Sequence, residues 1–299
     1  PELGIKKENF VFISGIGCSS RFPYYMNTYG FHTIHGRATA IASGVKLANP
    51  NLSVWVVTGD GDGLSIGGNH TIHLMRRNLD INVMLFNNRI YGLTKGQYSP
   101  TSERGKITKS SPMGSLDCPF NPLTLVLGAG ATFVARTIDR ETKHMQEMIT
   151  RSYGHKGTSF LETYQNCNIF NNGAYTSLTD KGTKADSVLW LEDGKPMVFG
   201  SEKNKGIRLD GNKPIIVEIG DKWGLDDVLV HDESDYVIAS LLSNLTYQSD
   251  FPDPIGVLYA IESVTYEDLM MAQINEAIKK SDKKSVQDNL NSGDTWIVE

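Results

Sequence analysis

The sequence predicts an α/β protein, a largely parallel sheet with helices on both faces and a β-rich C-terminal extension. Apolar, β-branched runs recur at 10–14 (FVFIS), 52–58 (LSVWVVT), 81–86 (INVMLF), 132–137 (TFVART) and 159–164 (SFLETY). Helix-like stretches lie between them, at 37–48, 67–78, 122–130 and 140–154. Strands that alternate with helices in this way build parallel sheets covered on both faces, and such sheets take ligands at the carboxyl ends of their strands.

Beyond about residue 170 the pattern changes. Asp-Gly turn signals in EDGKP (192–196) and LDGNKP (209–214) separate short apolar runs and predict hairpins. The chain is therefore read as a ligand-binding domain over 1–170 and an extension over 171–299. A last helix-like stretch, 265–280, leads into a polar tail.

Composition narrows the class. The 299 residues carry a net charge of -5, whereas a general nucleic-acid binder shows a basic balance or stripe. No apolar run reaches the roughly 20 residues of a membrane helix. The longest, 123–135, is interrupted by Gly128 and Gly130. Pro1 opens no basic, apolar secretory signal, and the chain reads as processed or incomplete at that end. Three widely spaced cysteines, Cys18, Cys118 and Cys167, make no disulfide framework, which favours a reducing cytoplasm and makes the Asn244 sequon incidental.

The densest chemical signal is VVTGDGDGLSIGG, residues 56–68, where a strand runs into alternating glycine and aspartate. An EF-hand starting at Asp60 would place Leu64 and Thr71 where acidic or amide ligands belong. The run never gives G-x-G-x-x-G, and Gly105-Lys106 has Pro100 where a Walker A loop needs its leading glycine. A pyrophosphate held through Mg²⁺ does fit. Gly59, Gly61 and Gly63 permit close backbone approach, and Gly67 and Gly68 open a helix whose N-terminus favours phosphate. Asp60 supplies one hard oxygen. A βαβ unit of about 30 residues returns the chain to the same sheet edge at NNRIYGL, where the Asn88 amide and the Ile90 carbonyl complete the ligand set.

GDG followed at this spacing by NN resembles the diphosphate-binding motif of thiamine diphosphate enzymes. With GIGCSSRFPYY (15–25), HTIHGRATA (32–40) and YGLTKGQYSPTS (91–102), the chain resembles the β subunit of 2-oxoacid:ferredoxin oxidoreductases, most like the 2-oxoglutarate type, well over residues 10–170. The resemblance implies the thiamine diphosphate-binding fold. It places Asp60, Asn88 and Ile90 on Mg²⁺. Gly59, Gly61, Asp62, Gly92, Leu93 and Thr94 would line the diphosphate. Ile16, Gly17, Cys18 and Ser19, with His35, Gly36, Arg37 and Ala38, would lie near the thiazolium and pyrophosphate, His35 and Arg37 as catalytic candidates. Lys95 would contact the distal end of the substrate.

Cys18 and Cys167 match two ligands of the family's single [4Fe–4S] cluster. The other two normally form a Cys-x-x-Cys near the N-terminus; none occurs here, and the pair is expected before Pro1. Cys118 matches no ligand and reads as an ordinary buried cysteine. His70 and His73, three apart, lack a third metal ligand and read as core or capping residues. Lys95, Arg104, Lys106 and Lys109 against Glu103 form a local basic excess suited to a carboxylate substrate or an acidic ferredoxin. The acidic run 226–235 reads as a solvated face.

The implied activity is CoA-dependent oxidative decarboxylation of 2-oxoglutarate to succinyl-CoA and CO₂, reversible as reductive carboxylation in a reductive TCA cycle, with electrons leaving through the cluster to ferredoxin. A partner α subunit would supply the glutamate that activates the cofactor, in an (αβ)₂ assembly. Three alternatives stay open: a pyruvate or broad-specificity 2-oxoacid oxidoreductase, a non-redox thiamine decarboxylase or carboligase subunit, and a Mg–nucleotide binding module.

Overall fold

The computed structural model describes residues 3–281 and 285–298. Strands β1 (Phe10–Ser14), β2 (Tyr29–His32), β3 (Ser53–Gly59), β4 (Ile81–Asn87), β5 (Phe133–Ile138), β6 (Ser159–Tyr164) and β7 (Val188–Trp190) precede a hairpin region. That region holds β8 (Val198–Phe199), β9 (Lys205–Asp210) and β10 (Lys213–Glu218), and β11 (Asp253–Ala260) follows it. Eight strands form one sheet in the order β2-β1-β3-β4-β6-β5-β11-β7, and β8 to β10 form a separate antiparallel sheet.

Each apolar run expected from the sequence is a strand, and the alternation of its side chains explains the two covered faces. On β1, Val11 and Ile13 join Val54, Val56, Leu74 and Leu123 in one core, under helices Ala38–Ala48, Gly68–Arg77 and Pro122–Gly128. Phe12 points the other way, into Trp55, Val57 and Met84. Helix Thr142–Gly154 covers that second face through Met148 and Ile149. Val54, Val56 and Ile81 are fully buried, each contributing on the order of 1.5–3 kcal/mol of apolar burial.

Two strands depart from the sequence reading. Strand β2 pairs with β1 at the sheet edge although all four of its residues are exposed, so no buried face announces it. Strand β11 enters antiparallel to β5, with an irregularity between Val257 and Tyr259, which makes the sheet mixed. The Asp-Gly signal at 210–211 is a hairpin: Asp210 pairs with Lys213 across a tight loop in which Gly211 takes φ +59°. Residues beyond 171 share the main core, since Leu189, Met197, Ile207 and Leu242 pack with the strands of the first half. The acidic run 226–235 alternates: Asp226, Asp227 and Asp232 are exposed, while Glu233 is buried against the guanidinium of Arg151 at 2.6–2.7 Å. Only part of that run is therefore a solvated face.

Candidate active site

Four parallel strands end at one edge, because the register sets Ser14 beside Val57, Gly59 beside Phe86, and Asn87 beside Tyr164. The loops that leave β1, β3, β4 and β6 meet there in a single cleft. It is lined by 16–19, His35, 59–62, Phe86, Asn88, 90–94 and Gln165.

One wall is organised by Asp62, which is 2% exposed. Its Oδ1 accepts from the backbone N–H of Ile16 at 3.2 Å and of Gly36 at 2.7 Å, and from Nδ1 of His35; Oδ2 accepts from Thr58 at 2.8 Å. The contact requires the proton of His35 on Nδ1, which turns the other ring nitrogen away from the carboxylate. One buried carboxylate thus joins the loops after β1 and β2 to the end of β3. The glycines make that closeness possible. A Cβ on Gly15 would fall 1.9 Å from Asp62, and one on Gly36 2.6 Å from the nitrogen of Gly67. The chain leaves β3 through a π-helical turn, Asp62–Ile66, a form often found at functional sites.

Asp60 stands where the two walls meet and is also 2% exposed. Its Oδ2 accepts from Ser99 at 2.5 Å and Thr101 at 2.6 Å. Burial pushes its carboxyl above the ordinary range, while the two hydroxyls pull it back. Across the cleft, the Asn88 amide oxygen accepts from the Ile90 N–H at 3.2 Å. A buried carboxylate, an amide oxygen and a backbone carbonyl are the hard donors that Mg²⁺ takes, and the bare Gly59 and Gly61 beside them leave room for phosphate oxygens. A Cβ on Gly61 would meet the Tyr91 ring at 2.3 Å, and the Tyr91 hydroxyl donates to the Gly61 carbonyl at 2.8 Å. The residues present fit a metal-bound pyrophosphate.

The second wall is held from behind. Asn87 donates to Glu162 at 2.8 Å, and Glu162 pairs with Arg136 at 2.7 Å, both partners fully buried. Such a pair resists loss of either member, which would leave an uncompensated buried charge.

Cys18 and Cys167 converge on the rim. A Cβ on Gly92 would lie 3.3 Å from the sulfur of Cys18 and 3.8 Å from that of Cys167. Desolvation and the neighbouring Cys167 push the Cys18 thiol up, with Arg21 pulling down. Two thiolates this close repel unless a cation joins them, so the pair suits a shared metal centre. No group of three or more His, Cys, Asp or Glu side chains able to hold a metal occurs among the described residues, so His70 and His73 complete no such centre.

The other expected residues fall around this centre. Gly36, Arg37 and Ala38 stand behind the lining: the Gly36 N–H is bound to Asp62, Arg37 reaches the Ile66 carbonyl at 3.3 Å, and Ala38 starts a helix. Lys95 sits exposed on the rim turn with φ +75°. Lys106 is engaged by Asn171. Cys118 is exposed, which corrects its reading as a buried cysteine; it lines a separate hollow with Tyr98, Asp117 and Phe120. Sequence reasoning missed Tyr91, Phe86 and Gln165 in the lining, and Ser99 and Thr101 on Asp60. The hydroxyl-rich YSPTS run was the available signal for the last two.

The site and its fold belong to the thiamine pyrophosphate enzymes, whose C-terminal TPP-binding domain matches residues 15–163. The 2-oxoglutarate oxidoreductase subunit KorB of Mycobacterium tuberculosis is 49% identical, with 100% of this chain and 81% of that protein covered. The 2-oxoacid:ferredoxin oxidoreductase 1 β subunit of Aeropyrum pernix is 47% identical over 75% of this chain and 68% of its own length. Among solved structures, a 2-oxoglutarate:ferredoxin oxidoreductase from Magnetococcus marinus, with 2-oxoglutarate, coenzyme A and succinyl-CoA bound, superposes with a TM-score of 0.77. It is 32% identical, over 98% of this chain and 86% of that one. The chain belongs to the β subunits of the thiamine diphosphate-dependent 2-oxoacid:ferredoxin oxidoreductases. No helix among the described residues is long and apolar enough to cross a membrane.

Proposed function

We propose that this subunit works in the CoA-dependent oxidative decarboxylation of 2-oxoglutarate to succinyl-CoA and CO₂, run in reverse as reductive carboxylation, with electrons passed to ferredoxin. The observation that carries the reading is the meeting of Asp60 and Asn88 at adjacent strand ends beneath a rim that holds two cysteine sulfurs. When bound, thiamine diphosphate supplies the electron sink for loss of CO₂. A [4Fe–4S] cluster beside it supplies one-electron acceptance.

Each residue then has a duty. Asp60, Asn88 and the Ile90 carbonyl hold Mg²⁺, and 59–62 with 92–94 surround the diphosphate. The loop 16–19, with His35 held by Asp62, shapes the thiazolium end, and Gly36, Arg37 and Ala38 support it. Cys18 and Cys167 supply two cluster thiolates. Lys95 on the rim offers a cation to the distal carboxylate that 2-oxoglutarate has and pyruvate lacks. The likeness of this chain, over all its residues, to a 2-oxoglutarate oxidoreductase subunit supports the same choice.

An α subunit supplies the activating glutamate in an (αβ)₂ complex of the cytoplasm. Residues 171–299 support the cluster surroundings and subunit contacts; Leu269, Ile274 and Ile278 on helix Tyr266–Lys280 are exposed in this chain and available for such contact. A viologen-coupled assay of the αβ complex with coenzyme A and a panel of 2-oxoacids tests the reading. The expected result is CoA-dependent viologen reduction with the highest kcat/KM for 2-oxoglutarate. A higher kcat/KM for pyruvate would overturn the substrate, and CoA-independent decarboxylation without viologen reduction would overturn the oxidoreductase.

A further inference from the structure

The turn that carries Asn88 and Ile90 into the cleft sends the residue between them the other way. Asn88 and Ile90 line the cleft, and Arg89 does not. The backbone of Arg89 has φ +54°, a left-handed conformation that a side-chain-bearing residue holds only when its surroundings impose it.

Those surroundings are specific. The guanidinium of Arg89 lies 4.6 Å from the centroid of the Tyr175 ring and 5.9 Å from that of Tyr164. The two rings stack on each other at 4.3 Å, and both are buried. Nη1 of Arg89 donates to Glu103 at 3.0 Å. Its N–H reaches the side-chain oxygen of Asn87 at 3.2 Å, and its carbonyl accepts from Ser102 at 2.6 Å. Tyr164 in turn lies under the Arg136 guanidinium at 4.7 Å, and Arg136 holds Glu162, which holds Asn87. The chain of contacts closes on the turn it started from.

We infer that Arg89 is a positioning residue: with its guanidinium plugged into the Tyr164–Tyr175 platform, it fixes the turn that presents Asn88 and Ile90 to Mg²⁺. This rests on the reading of those two residues as metal ligands. The side chain lies outside the cleft lining. A planar cation stacked between buried rings and a carboxylate sets the rotation of the turn, and that rotation sets where the Asn88 amide and the Ile90 carbonyl point. Asn171 adds to the same grip by donating to the Asn88 carbonyl at 3.0 Å.

The test separates the side chain from the backbone. Arg89→Gly removes the plug yet makes a positive φ free of strain, so a turn that needed only its backbone shape would bind cofactor as well as before or better. On the assembled αβ complex, calorimetry with thiamine diphosphate across a Mg²⁺ titration gives the Mg²⁺ concentration for half-saturation. Arg89→Gly and Tyr175→Leu each raise it about tenfold, the scale of one desolvated cation–π contact. The double variant is no worse than either single, because both break one contact. Tyr175→Phe keeps the ring and binds like wild type. Glu103→Gln, at a partly exposed partner, gives a smaller rise of roughly threefold.

Half-saturation within twofold of wild type for Arg89→Gly overturns the inference, as does a fall in the melting temperature of the cofactor-free complex with half-saturation unmoved. Absence of Mg²⁺-dependent binding in wild type overturns the parent reading of the metal ligands, and the inference with it.

Discussion

The two walls of the cleft are built by opposite means. The wall after β1, β2 and β3 is made of glycines drawn onto one carboxylate, Asp62, which gathers donors from Ile16, His35, Gly36 and Thr58. The wall after β4 has no such hub. Its turn is set by side chains that arrive from elsewhere: Thr101 and Glu162 on Asn87, Ser102 on the Arg89 carbonyl, and Asn171 on the Asn88 carbonyl. Closeness of backbone shapes the first wall, and tertiary support shapes the second. A glycine wall is sensitive to added atoms, and a supported wall to the loss of its partners.

Substitutions can break or sharpen that contrast. The largest effect is expected at the seam, where Asp60→Asn keeps the volume and removes the charge. Affinity for Mg²⁺–thiamine diphosphate should fall at least about 100-fold, near 3 kcal/mol, by calorimetry on the αβ complex. Next comes the hub of the first wall. Asp62→Asn leaves several donors competing for a neutral group, so cofactor affinity should fall roughly 30-fold and thermal melting should drop as well, since charge-assisted hydrogen bonds contribute about 1.5–3 kcal/mol each. Loss of affinity without any drop in melting would show that Asp62 does not organise the wall.

Gly61→Ala tests intolerance of added atoms. Its Cβ would press on the Tyr91 ring, and about a tenfold loss of cofactor affinity is expected, partly restored in Gly61→Ala/Tyr91→Ala, where the obstruction is gone. A double variant no better than the single would place the strain elsewhere. On the supported wall, Thr101→Val removes one donor from Asp60 and should cost roughly fivefold in affinity with little change in melting. The smallest effect is expected outside both walls. Lys95→Ala should raise KM for 2-oxoglutarate several-fold, leave kcat near wild type and leave pyruvate kinetics unmoved, the pattern of an exposed cation that only binds.

The same contrast explains what the sequence disclosed. The glycine wall was legible because its means are local: GDGDG declares a strand end, while on the other wall only Asn88 stood out, one βαβ unit further on. Five strands were legible because each carries an apolar run long enough to bury. The supported wall was largely illegible. Arg89 is an ordinary letter in NNR until Tyr164 and Tyr175, more than seventy residues away, come to lie beneath it. Ser99 and Thr101 were visible as a hydroxyl cluster, but their aim at Asp60 depends on how the long loop after β4 folds back. Strand β2 was hidden because an exposed edge strand has no buried face, and the antiparallel entry of β11 because its run, DPIGVLYA, carries no mark of direction.

The central claim is that two strand ends, those of β3 and β4, share one metal that holds the diphosphate. Titrating thiamine diphosphate into the assembled αβ complex, with Mg²⁺ present and with Mg²⁺ removed by chelation, tests it most directly. The account predicts saturable binding with one site per β subunit that needs Mg²⁺ and disappears in both Asp60→Asn and Asn88→Leu. Equal binding without the metal, or undiminished binding in either variant, would contradict it.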